Sequence, residues 1–164
     1  MKKFSVSVFA LMMALSFISC GDDEDNDFDP DYEGSIISFS VSAGGDVTAY
    51  SWGENTSSFA VVTENALTLK AHKNNQTDAP YINIAINGDE SSVWAATHTG
   101  VAVELELRLP NGSEYTGSAT VTLTNAGSGF GGTVIGTFTA STVTGESGSI
   151  SITAGVINLK RKVS

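Results

Sequence analysis

VAVELELRL, residues 101–109, decides the fold. Val101, Val103, Leu105, Leu107 and Leu109 alternate with Ala102, Glu104, Glu106 and Arg108. A period of two puts the apolar side chains on one face of an extended strand and the charges on the other. A slip of one residue would bury three charges, so the register is strongly specified. The same period recurs on both sides of this segment. Ile37, Phe39 and Val41 alternate with serines, Leu67 and Leu69 with Thr68 and Lys70, and Ile82, Ile84 and Ile86 with Asn83, Ala85 and Asn87. Further strands are expected at 47–52, 58–62, 119–124, 133–140 and 149–159. In the last, Ile150 and Ile152 are out of phase with Ile157 and Leu159, which predicts a bulge at Ala154-Gly155.

Turn residues separate these runs. Ala43-Gly44-Gly45-Asp46, Asn87-Gly88-Asp89, Pro110-Asn111-Gly112 and Gly145-Glu146-Ser147-Gly148 supply positions that tolerate positive φ. Helical periodicity is nearly absent. The expected class is all-β: an immunoglobulin-like or related antiparallel β-sandwich of about eight or nine strands, with a small antiparallel β-barrel as the alternative.

Composition excludes several functions. The chain has 164 residues, a formal charge of −10 and only 8 Lys and Arg, too few for a phosphate-binding footprint, so nucleic acid is not an expected partner. One cysteine excludes an internal disulfide framework, and Cys20 with His72 and His98 does not have zinc spacing. No metal or other cofactor is implied. Both histidines fit surface or satisfied positions better than catalytic ones. Gly127-Ser128-Gly129-Phe130-Gly131-Gly132 satisfies G-x-G-x-x-G, yet strand-like sequence follows where a dinucleotide site needs a helix, so a strand corner is expected. Nucleophile elbows, zincin motifs and phosphate loops are missing, and no catalytic residue is assigned. Glu104 and Glu106 share a face and are read as a solvated strand surface, although paired carboxylates of a glycan hydrolase can converge from distant strands.

The N-terminus reads as an address. Lys2 and Lys3 precede an apolar run from Val6 to Ile18 that is too short for a stop-transfer helix, so residues 1–19 form an export signal. Phe17-Ile18-Ser19-Cys20 resembles the lipobox of bacterial lipoproteins, with Phe17 where that family prefers Leu. The resemblance implies lipid attachment at Cys20 and a mature chain anchored to a membrane without spanning it. Residues 20–33 are then a tether. Eight of the chain's eighteen acids lie in residues 21–33, and such a run is solvated, self-repelling and extended to about 40 Å. Its alternating aspartates do not form an EF-hand loop, because the loop glycine and the terminal bidentate glutamate are lacking and Pro30 intrudes. Cys-Gly-Asp-Asp-Glu-Asp is also similar to the acid-rich export signal of surface lipoproteins of the Bacteroidota. Residues 34–164 form a single β domain in which ten acids face six bases.

VELELRLPNGSEYTGSATVTLT and the C-terminal GTFTASTVTGESGSISITAGVINLKR resemble small surface lipoproteins of the Bacteroidota with a C-terminal all-β domain of unknown function. The resemblance implies an outer-membrane protein, lipid-anchored and facing the cell exterior, and implies no chemistry. The function expected is a noncatalytic binding or structural module with a glycan or protein ligand. Trp52, Tyr81 and Trp94 are the candidate ligand-binding residues, because rings near strand ends beside Asn and Asp can stack on sugars. The alternatives are an extracellular glycan hydrolase and a fimbrial or adhesin-type subunit. Against the last, such subunits are trimmed after a basic residue, and the mature chain has none before Lys70.

Overall fold

The computed structural model describes residues 34–63, 65–76, 78–88, 96–127, 129 and 131–162. Cys20, Trp94, the expected signal at 1–19 and the expected acidic tether at 20–33 lie outside the described residues. Eleven strands follow in chain order: β1 (Ile36–Ala43), β2 (Asp46–Gly53), β3 (Phe59–Val62), β4 (Ala66–His72), β5 (Tyr81–Asn87), β6 (Thr97–His98), β7 (Val103–Arg108), β8 (Glu114–Ser118), β9 (Thr120–Ala126), β10 (Thr133–Gly145) and β11 (Gly148–Lys162). The all-β class is as the alternation dictates. The two strands beyond the nine expected are β6, two residues long, and β8, whose only large apolar side chain is Tyr115. Neither carries a period that sequence could reveal. No helix among the described residues is long and apolar enough to cross a membrane.

The pairing order is β2-β1-β11-β3-β4-β5-β7-β8-β10-β9-β6, and β10 also pairs with β11. That extra contact closes β11-β3-β4-β5-β7-β8-β10 into a circuit of hydrogen-bonded strands. The pair β1-β2 extends from β11, and β9-β6 extends from β10. Closure is the property of the barrel alternative, while the open outer edges of β2 and β6 are those of a sandwich. All pairings are antiparallel except β11 with β3, where Arg161 faces Ala60 and Lys162 faces Val61.

Length makes the closure possible. β10 and β11 span 13 and 15 residues, and each changes partner along its course. β10 pairs β9 from Val134 to Thr139 and β8 from Val143 to Gly145. β11 pairs β1 up to Asn158 and reaches β3 only at Arg161. The predicted bulge lies where the register shifts: Phe138 faces Gly155, but Ala140 faces Ile152. Ala154 sits there at φ 52°, a left-handed conformation that costs an L-residue roughly 1–2 kcal/mol. The extra residue restores Ile157 and Leu159 to the inner face with Ile150 and Ile152, and all four are buried.

One core fills the interior. Leu67, Leu69, Ile82, Ile84, Ile86, Leu105 and Leu107 are at most 1% exposed, and each such side chain contributes about 1.5–3 kcal/mol by leaving water. The alternation of residues 101–109 holds from Val103 to Leu109, but the strand starts later than expected, because Gly100–Ala102 form a 3-10 turn. The Gly44-Gly45 turn has both central residues at positive φ, 60° and 99°, as a two-residue type I′ hairpin requires. Gly127, Gly129, Gly131 and Gly132, the described residues of the glycine-rich run, lie between β9 and β10. Gly131 N–H donates to the Arg161 carbonyl, and Arg161 N–H donates to the Gly132 carbonyl. Strand β10 follows it, not a helix.

Candidate functional site

Burial of the inner face fixes what the outer face of β3-β4-β5-β7-β8 presents. Cross-strand register aligns Phe59, Lys70, Asn83, Glu106 and Thr116 in one row. The next row holds His72, Tyr81, Arg108 and Glu114. Glu104 and Glu106 are exposed on this face, where the side-chain amides of Asn87 and Asn83 donate to them at 3.2 Å each. That is the solvated strand surface expected of them.

Where the rows meet the β2–β3 and β4–β5 loops they form a cleft of about 300 Å³, lined by Thr56, Ser57, Phe59, Lys70, His72, Asn75 and Gln76. Asn55 organises its floor: Nδ2 donates to the carbonyls of Gly53 and His72 at 2.8 and 2.9 Å, and Oδ1 accepts from Ser57 N–H and Ser58 Oγ. Ser58, fully buried, accepts from His72 N–H at 2.9 Å. Thr56 Oγ1 and Ser57 N–H both donate to Asn75 Oδ1, which leaves the Asn75 amide N–H groups as donors. The carbonyls of Gly53 and His72 and the N–H groups of Ser57 and His72 are thereby satisfied by side chains.

His72 is the unusual member. It lies on the outer-facing side of β4, yet the flanking loops cover it to 8% exposure. Its ring stacks on Tyr81 at 5.5 Å and 28°. Neither ring nitrogen has a hydrogen-bond partner among the described residues, so the expectation of a satisfied histidine is corrected here. A buried imidazole without partners is costly, and such groups in native proteins have a reason. Burial, and then the nearby Lys70 ammonium, hold the His72 pKa below its ordinary value. The Tyr81 hydroxyl is pushed up, by burial first and then by Glu106 and Glu114, against the opposing pull of Arg108.

The three sequence-predicted rings do not form one platform. Tyr81 is half-buried and stacks behind His72, so it backs the histidine without itself lining the cleft. Trp52 is 4% exposed and packs edge-on to Phe39 at 5.0 Å and against Tyr50 at 5.2 Å. That places it in the core, with no ring face open for a sugar. Trp94 lies outside the described residues. Sequence reasoning missed Phe59, Lys70, His72, Asn75 and Gln76. Hairpin symmetry across residues 73–80 does pair His72 with Tyr81, but the burial of His72 comes from loop packing that leaves no periodic trace.

A second cleft, of about 420 Å³, lies between two turns and is lined by Asn111, Gly112, Ser113, Glu114, Glu146 and Ser147. It is larger but has no aromatic or buried ionisable side chain. Its Glu114 is ion-paired with Arg108 at 3.6 Å while remaining 66% exposed. His98, on β6 against β9, belongs to neither cleft. Among the described residues no group of three or more His, Cys, Asp or Glu is placed to hold a metal ion. No family model, curated protein or solved structure matches the chain.

Proposed function

We propose that this chain is a surface lipoprotein of the outer envelope, related to the small lipoproteins of the Bacteroidota, whose β domain is a noncatalytic binding module. Lipid on Cys20 holds it to the membrane, the acidic segment 20–33 lifts the domain away, and the His72 cleft takes a glycan or protein ligand. One observation carries the reading of the site: a nine-tenths buried histidine with two unpartnered nitrogens walls a cleft whose lining has amides, hydroxyls and a lysine but, among the described residues, no carboxylate. Such a lining can hold a ligand, and its described residues do not include the paired carboxylates used in most glycoside hydrolysis.

The anchor is tested by Cys20→Ala, which should release the chain from membranes; extraction that still requires detergent overturns it. The released full chain can then be applied to a glycan array and followed by NMR, where bound ligand should perturb the signals of His72 and Asn75. Ligands that perturb only other surfaces remove the cleft from the proposal. A glycan hydrolase has one observation in its favour, the meeting of Glu114 and Glu146 at the turn cleft. Release of reducing sugar that is lost in Glu146→Gln would establish that reading in place of the first.

A further inference from the structure

We infer that the His72 cleft recognises the carboxylate of an acidic saccharide. The inference deepens the binding-module reading and rests on it.

Cations converge here in an otherwise acidic chain. Of the six bases after residue 34, only Arg108 lies away from β4, the loop that follows it and the end of β11. The parallel contact of β11 with β3 does this, bringing Lys162 beside the strand whose Phe59 faces Lys70. Lys162 Nζ stands 5.4 Å from the centre of the Phe59 ring. Both ion pairs found among the described residues are made by Arg108, so neither Lys70 nor Lys162 has a described carboxylate within 4.0 Å. Like charges without a described carboxylate partner, beside a cleft with no acid among its described lining residues, create a local positive potential, which favours an anion there.

The remaining lining selects the kind of anion. Asn75 has its Oδ1 occupied and its amide N–H groups available, with Thr56, Ser57 and Gln76 adding further polar groups at the same rim. The half-buried Phe59 ring supplies one apolar wall. A hydroxyl-rich ligand with one negative group matches this set, and an apolar chain does not. The His72 imidazole would gain the partner it lacks from a carboxylate or hydroxyl reaching the wall of the cleft.

The test uses the full chain with Cys20→Ala, titrated calorimetrically with trigalacturonate and with a hyaluronate tetrasaccharide, each compared with its carboxyl methyl ester. At least one acid should bind roughly tenfold tighter than its ester, the size of one charge-assisted hydrogen bond. Lys70→Gln and the exposed Lys162→Gln should each remove most of that difference. Equal affinity for acid and ester, or binding unchanged in both variants, overturns the inference. Inorganic phosphate or sulfate that competes at equal affinity also overturns it, by showing a simple anion site. If neither acid binds but a neutral glycan perturbs His72, the carboxylate is wrong and the binding module stands; if nothing perturbs the cleft, both fall.

Discussion

The meander β4-β5-β7 and the hairpin β10-β11 bury their inner faces equally well and do so by opposite means. In the meander each central strand keeps one pair of neighbours, alternation is unbroken and the register runs without a shift. In the hairpin the register shifts twice, Ala154 adopts a left-handed conformation and both strands change partner. Regular strands give the outer face straight rows on which side chains can be set at defined spacing. Irregular strands turn the sheet back on itself. The site is built on the first kind of region and the closure on the second.

The contrast can be tested by substitution. Leu105→Ala removes a meander side chain that is 1% exposed, and the cavity it leaves should cost about 3 kcal/mol in denaturant unfolding. A loss under about 1 kcal/mol would mean that the meander is no more rigid than the hairpin. Gly155→Ala attacks the hairpin where β11 presses closely on Phe138 of β10. A Cβ there would run into the Phe138 ring and the Phe138 carbonyl oxygen, so a loss of about 2 kcal/mol is expected, accompanied by shifted NMR signals along β10.

His72→Phe probes the outer face of the meander. Because burial and Lys70 lower the His72 pKa in the folded chain from 6.5, protonation favours the unfolded state. The stability contributed by neutral His72 is therefore present above about pH 6.5 and is lost as pH falls through the lower folded value. The phenylalanine variant keeps the stack on Tyr81, and its melting temperature should fall less than that of the natural chain between pH 7 and 5. Equal slopes would show that His72 does not titrate differently in the two states. The smallest effect is expected for Ala154→Gly. Relief of the left-handed alanine, offset by the greater freedom of glycine when unfolded, should stabilise by about 0.5 kcal/mol. Destabilisation would mean that the alanine methyl contributes packing.

Much of this division could be read from the sequence, for a physical reason. A half-buried strand must alternate, so Val103 to Leu109 announces itself, and a change of phase between Ile152 and Ile157 announces the bulge that corrects it. Glycines at Gly44 and Gly45 mark a hairpin because few other residues accept two successive positive φ values. Strand β8 was hidden because Glu-Tyr-Thr-Gly-Ser owes its place to neighbours on both sides rather than to its own pattern. Trp52 was misplaced for a related reason: aromatic residues at strand ends serve cores and ligand platforms alike, and only the positions of Phe39 and Tyr50 decide between them. The cleft was out of reach because it is set by the packing of residues 55–58 and 75–76 around His72, and no local period records that packing.

The buried Ser35, just ahead of β1, has a mechanical consequence. Its Oγ accepts from Lys160 N–H at 3.0 Å and donates to the Ser58 carbonyl at 3.4 Å, and its carbonyl accepts from Glu54 N–H at 2.8 Å. Ser58 in turn holds His72. A load applied between the segment preceding Gly34 and a molecule seated at His72 would travel this short path at one end of the domain. That path enters the closed circuit of strands directly at β4 and β11, so such a pull would reach His72 through a few serine hydrogen bonds without passing along the length of any strand.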